Sequence, residues 1–147
     1  EHVNQAHAEG ASMSEFPTTL LAARTAHAHG LLTVMGGPNV VRGGSHSGNV
    51  SAAELARHGV LDILSSDYVP GSLLSAVVRL VDDGIFTLPQ AVATVTHHPA
   101  QATGLKDRGQ LVVGQRADLI QVRFIALPQG GRHAVVRAVW REGQRVL

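Results

Sequence analysis

Leu61-Asp62-Ile63-Leu64-Ser65-Ser66-Asp67 is a short apolar run that ends in two serines and an aspartate. Tyr68-Val69-Pro70-Gly71 then turns the chain into Ser72 to about Asp83, a stretch with helical spacing. Strand, polar turn and helix in that order is half of a βαβ unit, and the pattern repeats upstream. Leu31 to Met35 is a second apolar run, and Ala11 to Glu15 is a third, shorter one. Residues 1–9 read as the end of a helix stopped at Gly10, and the helix after Phe16-Pro17-Thr18-Thr19 runs to about His29 before Gly30. Ser51 with Glu54 three residues on has the form of a capping box, so a short helix is expected from Ser51 to His58, closed by Gly59. Three short strands alternating with helices predict an α/β fold with a parallel sheet covered by helices.

Beyond Leu88-Pro89 one more helix is expected to about His97, followed by His98-Pro99-Ala100 and a short helix ending at Gly104. The rhythm then changes. Leu111-Val112-Val113-Gly114, residues 117–125 and residues 134–147 read as strands, with Arg141-Glu142-Gly143-Gln144 as a hairpin turn.

Composition narrows the function. Twelve Lys and Arg against eleven Asp and Glu leave +1 over 147 residues, which gives no field to gather nucleic acid or an anionic membrane. The absence of cysteine removes thiolate metal sites, disulfides and a Cys nucleophile. No apolar run reaches the length of a membrane span, and a cytoplasmic enzyme is the expectation. The chain opens on Glu1 with no helix start before it, which suggests a piece whose N-terminal part lies elsewhere.

Glycine is the informative excess. Five of the fourteen residues from Gly36 to Asn49 are glycine, in what reads as one long loop. Bare backbone can approach a ligand and aim successive N–H groups at an anion. Arg42 adds a fork suited to phosphate oxygens, and Asn39, Ser45, Ser47 and Asn49 add neutral hydrogen-bonding groups. The candidate phosphate-binding set is Asn39, Arg42, Gly43, Gly44, Ser45, His46, Ser47 and Asn49. A flexible surface loop is the plain alternative, and a Ser45–His46 nucleophile pair is a weaker one, since adjacent side chains do not face each other. Asp67, directly after a strand, suits a metal ligand or a proton acceptor, with a loop-capping role equally open. Glu15 would project beside Asp67 if their strands were neighbours; as a lone turn carboxylate it would only be solvated. Of the nine histidines, only His46 lies in a candidate site. His27-Ala28-His29 falls in the last turn of a helix, where residues two apart do not share a face.

The run GGPNVVRGGSHSGNVSA (36–52) followed by LDILSSDYVPGSLL (61–74) resembles the diphosphatases of phosphonate utilisation in the carbon–phosphorus lyase pathway, within the amidohydrolase superfamily. SEFPTTLLAA (14–23) agrees, and Asp107-Arg108-Gly109-Gln110 with Gly114 to Leu119 matches a tail pattern common to the superfamily. The resemblance covers the C-terminal part of such enzymes. It implies the C-terminal portion of a (β/α)8 barrel over 1–105, its last three βα units, and a tail over 106–147 that belongs to a small β-sandwich. It also implies metal-dependent hydrolysis of a ribose 1-methylphosphonate 5-triphosphate to release pyrophosphate, with Asp67 as metal ligand and proton shuttle and Glu15 near a further ligand position. The metal would be a divalent ion, zinc first, with manganese or iron as alternatives. The substrate partner would be a phosphorylated sugar phosphonate, with no nucleic acid or membrane partner. Three βα units cannot close an eight-stranded barrel, so a homo-oligomer or a missing N-terminal half is expected to cover the open edge. Two other readings remain: a cyclic-amide hydrolase like dihydroorotase or hydantoinase, and a non-catalytic truncated or interaction module.

Overall fold

The computed structural model describes residues 2–44 and 48–147. Strands β1 (Met13–Glu15), β2 (Leu32–Gly36) and β3 (Ile63–Ser65) form a parallel sheet in that order. Met13 lies opposite Leu32, Val34 opposite Ile63 and Gly36 opposite Ser65. Helices α1 (His2–Ala8), α2 (Leu20–Ala28), α3 (Gly37–Arg42), α4 (Ala52–Arg57), α5 (Ser72–Asp82), α6 (Leu88–Ala93) and α7 (His97–Ala102) surround it. The chain is an α/β protein.

Local chemistry accounts for most boundaries. Thr19 accepts the Ala22 N–H at the start of α2, and Ser51 accepts the Glu54 N–H at the start of α4. Gly10, Gly30 and Gly59 stop the preceding helices with φ of 86°, 75° and 67°. Thr87 and Gln90 form a complete capping box at α6. Register partners Met35 and Leu64 point into a cluster with Leu55, Ala76, Val77 and Leu80, while Val34 and Ile63 are buried on the opposite face. Burial of both faces explains why these strands are apolar throughout.

One expectation fails at the glycine-rich stretch. Residues 36–50 are not a single loop, because α3 starts at Gly37 directly after β2. Pro38 supplies the fixed φ suited to a first helical turn, and Gly43, with φ 81°, closes the helix. A second correction concerns Leu111-Val112-Val113. This run joins neither sheet and is exposed, Val113 completely.

The entry end of the sheet is held by one carboxylate. Asp62 Oδ2 accepts His27 Nε2 at 2.5 Å, the Thr33 backbone N–H at 2.7 Å and the Thr33 hydroxyl at 3.2 Å, while that hydroxyl also bonds the Val60 carbonyl. His98 Nδ1 donates to the Asp62 carbonyl at 2.8 Å, which ties α7 to the same point. His27 is thus a structural partner, as its helical position suggested.

The tail forms an antiparallel sheet of β4 (Leu119–Ala126), β5 (Arg132–Arg141) and β6 (Gln144–Arg145). Glu142 (φ 51°) and Gly143 (φ 79°) make the expected tight turn. Asp118 accepts the Glu142 N–H at 2.9 Å, Gly143 N donates to Ala117 O, and Arg116 reaches Glu142 Oε1 at 3.0 Å. Arg116 Nε stands 2.7 Å from Asp118 Oδ2 as a close charge contact, although its N–H makes no hydrogen bond of good geometry. Arg108 grips Asp107 with two bonds at 2.8 and 3.1 Å. The superfamily-like tail residues therefore hold the hairpin turn in place.

Asp62→Ala should destabilise the fold by about 2–3 kcal/mol, since the buried Thr33 N–H loses its acceptor. Urea unfolding would register this as a lower midpoint at unchanged slope; a loss below about 0.5 kcal/mol would contradict the anchoring role. Acid should release the tail turn. The Glu142 N–H holds the Asp118 carboxyl below its ordinary value of 3.8, and the Arg108 guanidinium does the same for Asp107. A depressed folded pKa gives a contribution that is complete above the unfolded value and is lost as pH falls through the folded one. The Glu142 amide resonance should therefore titrate below pH 3.8; a midpoint at or above that value would contradict it.

Candidate functional site

The C-terminal ends of the three strands carry the candidate residues. Glu15 is the last residue of β1, Gly36 the last of β2, and Asp67 follows β3 by two residues. Both turns are unusual in backbone. Phe16 and Asp67 have φ of 49° and 51°, a region that side chains other than glycine seldom adopt. Asp tolerates it best among charged residues, and such outliers gather where function fixes the chain.

Asp67 is exposed and lies across the end of β2. A Cβ placed on Gly36 would stand 2.8 Å from Asp67 Oδ2 and 3.2 Å from its Cβ, so a side chain at 36 would push this carboxylate aside. The next glycine serves a similar purpose. A Cβ on Gly37 would meet the Ser72 hydroxyl at 2.6 Å, where α5 begins. Ser72 in turn donates to the Ser66 carbonyl at 3.3 Å. Two of the glycines that composition singled out are thus spent on close approach between β2, the Asp67 turn and α5.

Arg42 closes the arrangement. Its guanidinium stands 5.4 Å above the ring of Tyr68, the residue after Asp67. The cation of the glycine-rich segment and the carboxylate of the β3 turn thereby share one edge. Sequence spacing gave no hint of Tyr68, which is exposed and lies 26 positions from Arg42.

Other expected groups have different duties. Asn39 Oδ1 accepts the Ala52 N–H at 2.8 Å and so ties α3 to the start of α4. The N–H groups of Gly43 and Gly44 donate to Val40 O and Asn39 O, so they close α3 rather than stand free for an anion. Asn49 is exposed. Ser45, His46 and Ser47 lie outside the described residues. Glu15 is exposed, and the pairing with Asp67 expected for neighbouring strands does not occur, because β2 separates β1 from β3. Two strand spacings place their backbones about 10 Å apart.

A tightly bound divalent ion needs several converging ligands. Among the described residues no three His, Asp or Glu side chains stand together. Asp67 alone does not make a metal centre, and these residues by themselves do not fit the ion. Among the described residues no helix is long and apolar enough to cross a membrane.

Comparison with known proteins agrees with this architecture. The chain is 52% identical, over 99% of its length, to the alpha-D-ribose 1-methylphosphonate 5-triphosphate diphosphatase of Escherichia coli K12. It spans 38% of that protein's length. It is 36% identical over 96 residues, 56% of the chain and 23% of the relative, to an imidazolonepropionase of Deinococcus deserti. A dihydroorotase-like protein of Pseudomonas aeruginosa is 48% identical over 48 residues, 33% of the chain and 11% of that protein. The crystal structure of an adenine deaminase shares the fold, with a TM-score of 0.57 at 18% identity over 84% of this chain and 38% of that one. The amidohydrolase family matches residues 3–147. The chain belongs to the amidohydrolase family.

Proposed function

We propose that this chain is the C-terminal part of a cytoplasmic diphosphatase that hydrolyses a ribose 1-methylphosphonate 5-triphosphate and releases pyrophosphate. The observation that carries the reading is the 52% identity, over 99% of the chain, to a diphosphatase. The geometry is consistent with it in that Arg42, over the ring of Tyr68, sets a guanidinium beside the turn that presents Asp67. In this reading three units of a (β/α)8 barrel, residues 1–105, bear the site, and residues 106–147 belong to a small β-sandwich. The rest of the barrel is supplied by a preceding half or by a second copy of the chain.

Water oxygen bonds to the α-phosphorus, the bond from that phosphorus to the bridging oxygen of the β-phosphate breaks, and pyrophosphate departs with the electron pair. Asp67 accepts the proton that the attacking water loses. Arg42 is a fork donor, able to hold two oxygens of one phosphate while negative charge shifts toward the leaving group. Asn49 and the side chains at 45–47 are the candidates for the remaining phosphate oxygens, with Asn39 and the glycines at 43 and 44 shaping the wall. A divalent metal, zinc first, with manganese or iron as alternatives, belongs to the complete enzyme, and no step here is routed through it.

The shorter similarities to an imidazolonepropionase and a dihydroorotase-like protein support a cyclic-amide hydrolase as the second reading. Identity at 52% across nearly the whole chain supports the diphosphatase more strongly.

Asp67→Asn in the complete enzyme should lower kcat on the triphosphate by about 10²–10⁴-fold, the range lost with a general base. Unchanged turnover would overturn the role. Gly36→Ala should cost at least about tenfold in kcat with little loss of stability, because the added methyl displaces the exposed Asp67 rather than the core. A Gly36→Ala enzyme with full activity would contradict the packing argument.

A further inference from the structure

Asp67 and Tyr68 are the two central residues of one tight turn. The Val69 N–H donates to the Ser66 carbonyl at 3.1 Å and closes it, and the Ser72 N–H donates to the Val69 carbonyl at 2.9 Å. The Ser72 hydroxyl also donates to the Ser66 carbonyl, so both ends of the turn are fastened to the start of α5. Asp67, with φ 51°, holds the first central position and so sets the direction in which the chain leaves toward Tyr68. The Tyr68 ring is 60% exposed and takes no part in the hydrophobic core. An aromatic side chain thus stands on an anchored backbone and points away from the interior.

Arg42 reaches this ring from the neighbouring strand end. It is the last residue of α3, and Gly43 ends the helix directly after it. A long side chain at a helix end loses rotamer freedom when it binds a ligand, and a surface that holds it beforehand removes part of that cost. The ring of Tyr68 is such a surface, with the guanidinium 5.4 Å from its centre. A cation–π contact is not a hydrogen bond, so it can orient a guanidinium without taking the N–H donors that a phosphate needs.

We infer that Tyr68 is a positioning residue, whose ring holds the Arg42 guanidinium in a fixed relation to the Asp67 carboxylate on the same turn. The inference rests on the diphosphatase reading and adds to it a residue that touches no reacting atom. Arg42 grips phosphate oxygens in the bound substrate and in the transition state alike, so its positioning bears on binding. Proton transfer to Asp67 does not pass through the ring. The face of the ring does the holding, and the phenol hydroxyl is not required.

Steady-state pyrophosphate release from the triphosphate by the complete enzyme tests this in Tyr68→Leu, in Tyr68→Phe, and in Tyr68→Leu combined with Arg42→Met. Tyr68→Leu should raise KM about three- to fivefold, the range of one exposed cation–π contact, and leave kcat within about twofold of the parent. Tyr68→Phe should keep the parent KM. In the Arg42→Met background Tyr68→Leu should change nothing further, because the ring then has no cation to hold. The inference is overturned if Tyr68→Leu keeps the parent KM, or if Tyr68→Phe behaves like Tyr68→Leu. It is equally overturned if Tyr68→Leu lowers kcat instead, which would make the ring a support of Asp67, or if its effect persists undiminished in Arg42→Met. A parent enzyme that releases no pyrophosphate removes the diphosphatase reading and this inference with it. A parent that turns over, with an indifferent Tyr68→Leu, removes the inference alone.

Discussion

The approach of the Asp67 carboxylate to the bare backbone of Gly36 is the constraint on which the candidate site depends. It requires parallel pairing of β2 and β3 with Gly36 opposite Ser65, so that the turn after Ser65 passes over the end of β2. It requires Asp67 to occupy the left-handed region, where its short side chain is tolerated. It also requires α3 and α5 to start side by side, which Gly37 and Ser72 permit. Arg42 meets the ring of Tyr68 beside this approach.

The two ends of the sheet are built for different purposes. At the entry end one oxygen of Asp62 accepts from His27 and Thr33, and its carbonyl holds His98. A carboxylate that ties α2, β2 and the start of β3 together serves the fold. At the exit end Asp67 is exposed, its backbone is strained, and a cation stands beside its turn. This division is the one expected of parallel α/β proteins, where chemistry gathers at the C-terminal ends of strands.

Much of this was legible in the residues. Apolar runs bounded by Gly10, Gly30 and Gly59 located strands and helix ends because glycine alone takes those backbone angles without cost. Asp67 was legible from its position after a strand. Helix α3 was not, because glycine, proline and asparagine read as loop formers, while here proline sits in the first turn and glycine closes the last. The strand order that separates Glu15 from Asp67 is a long-range property that no local pattern encodes. Leu111 to Val113 has the composition of a strand, yet a strand needs a partner, and this run pairs with neither sheet.

Substrate preference of the complete enzyme tests the central claim most directly, because a diphosphatase and a cyclic-amide hydrolase can share this fold and differ in the bond they break. Pyrophosphate release from a ribose 1-methylphosphonate 5-triphosphate is expected, with kcat/KM at least about 10³-fold above that for dihydroorotate or hydantoin. Faster opening of the cyclic amides, with no pyrophosphate from the triphosphate, would contradict it.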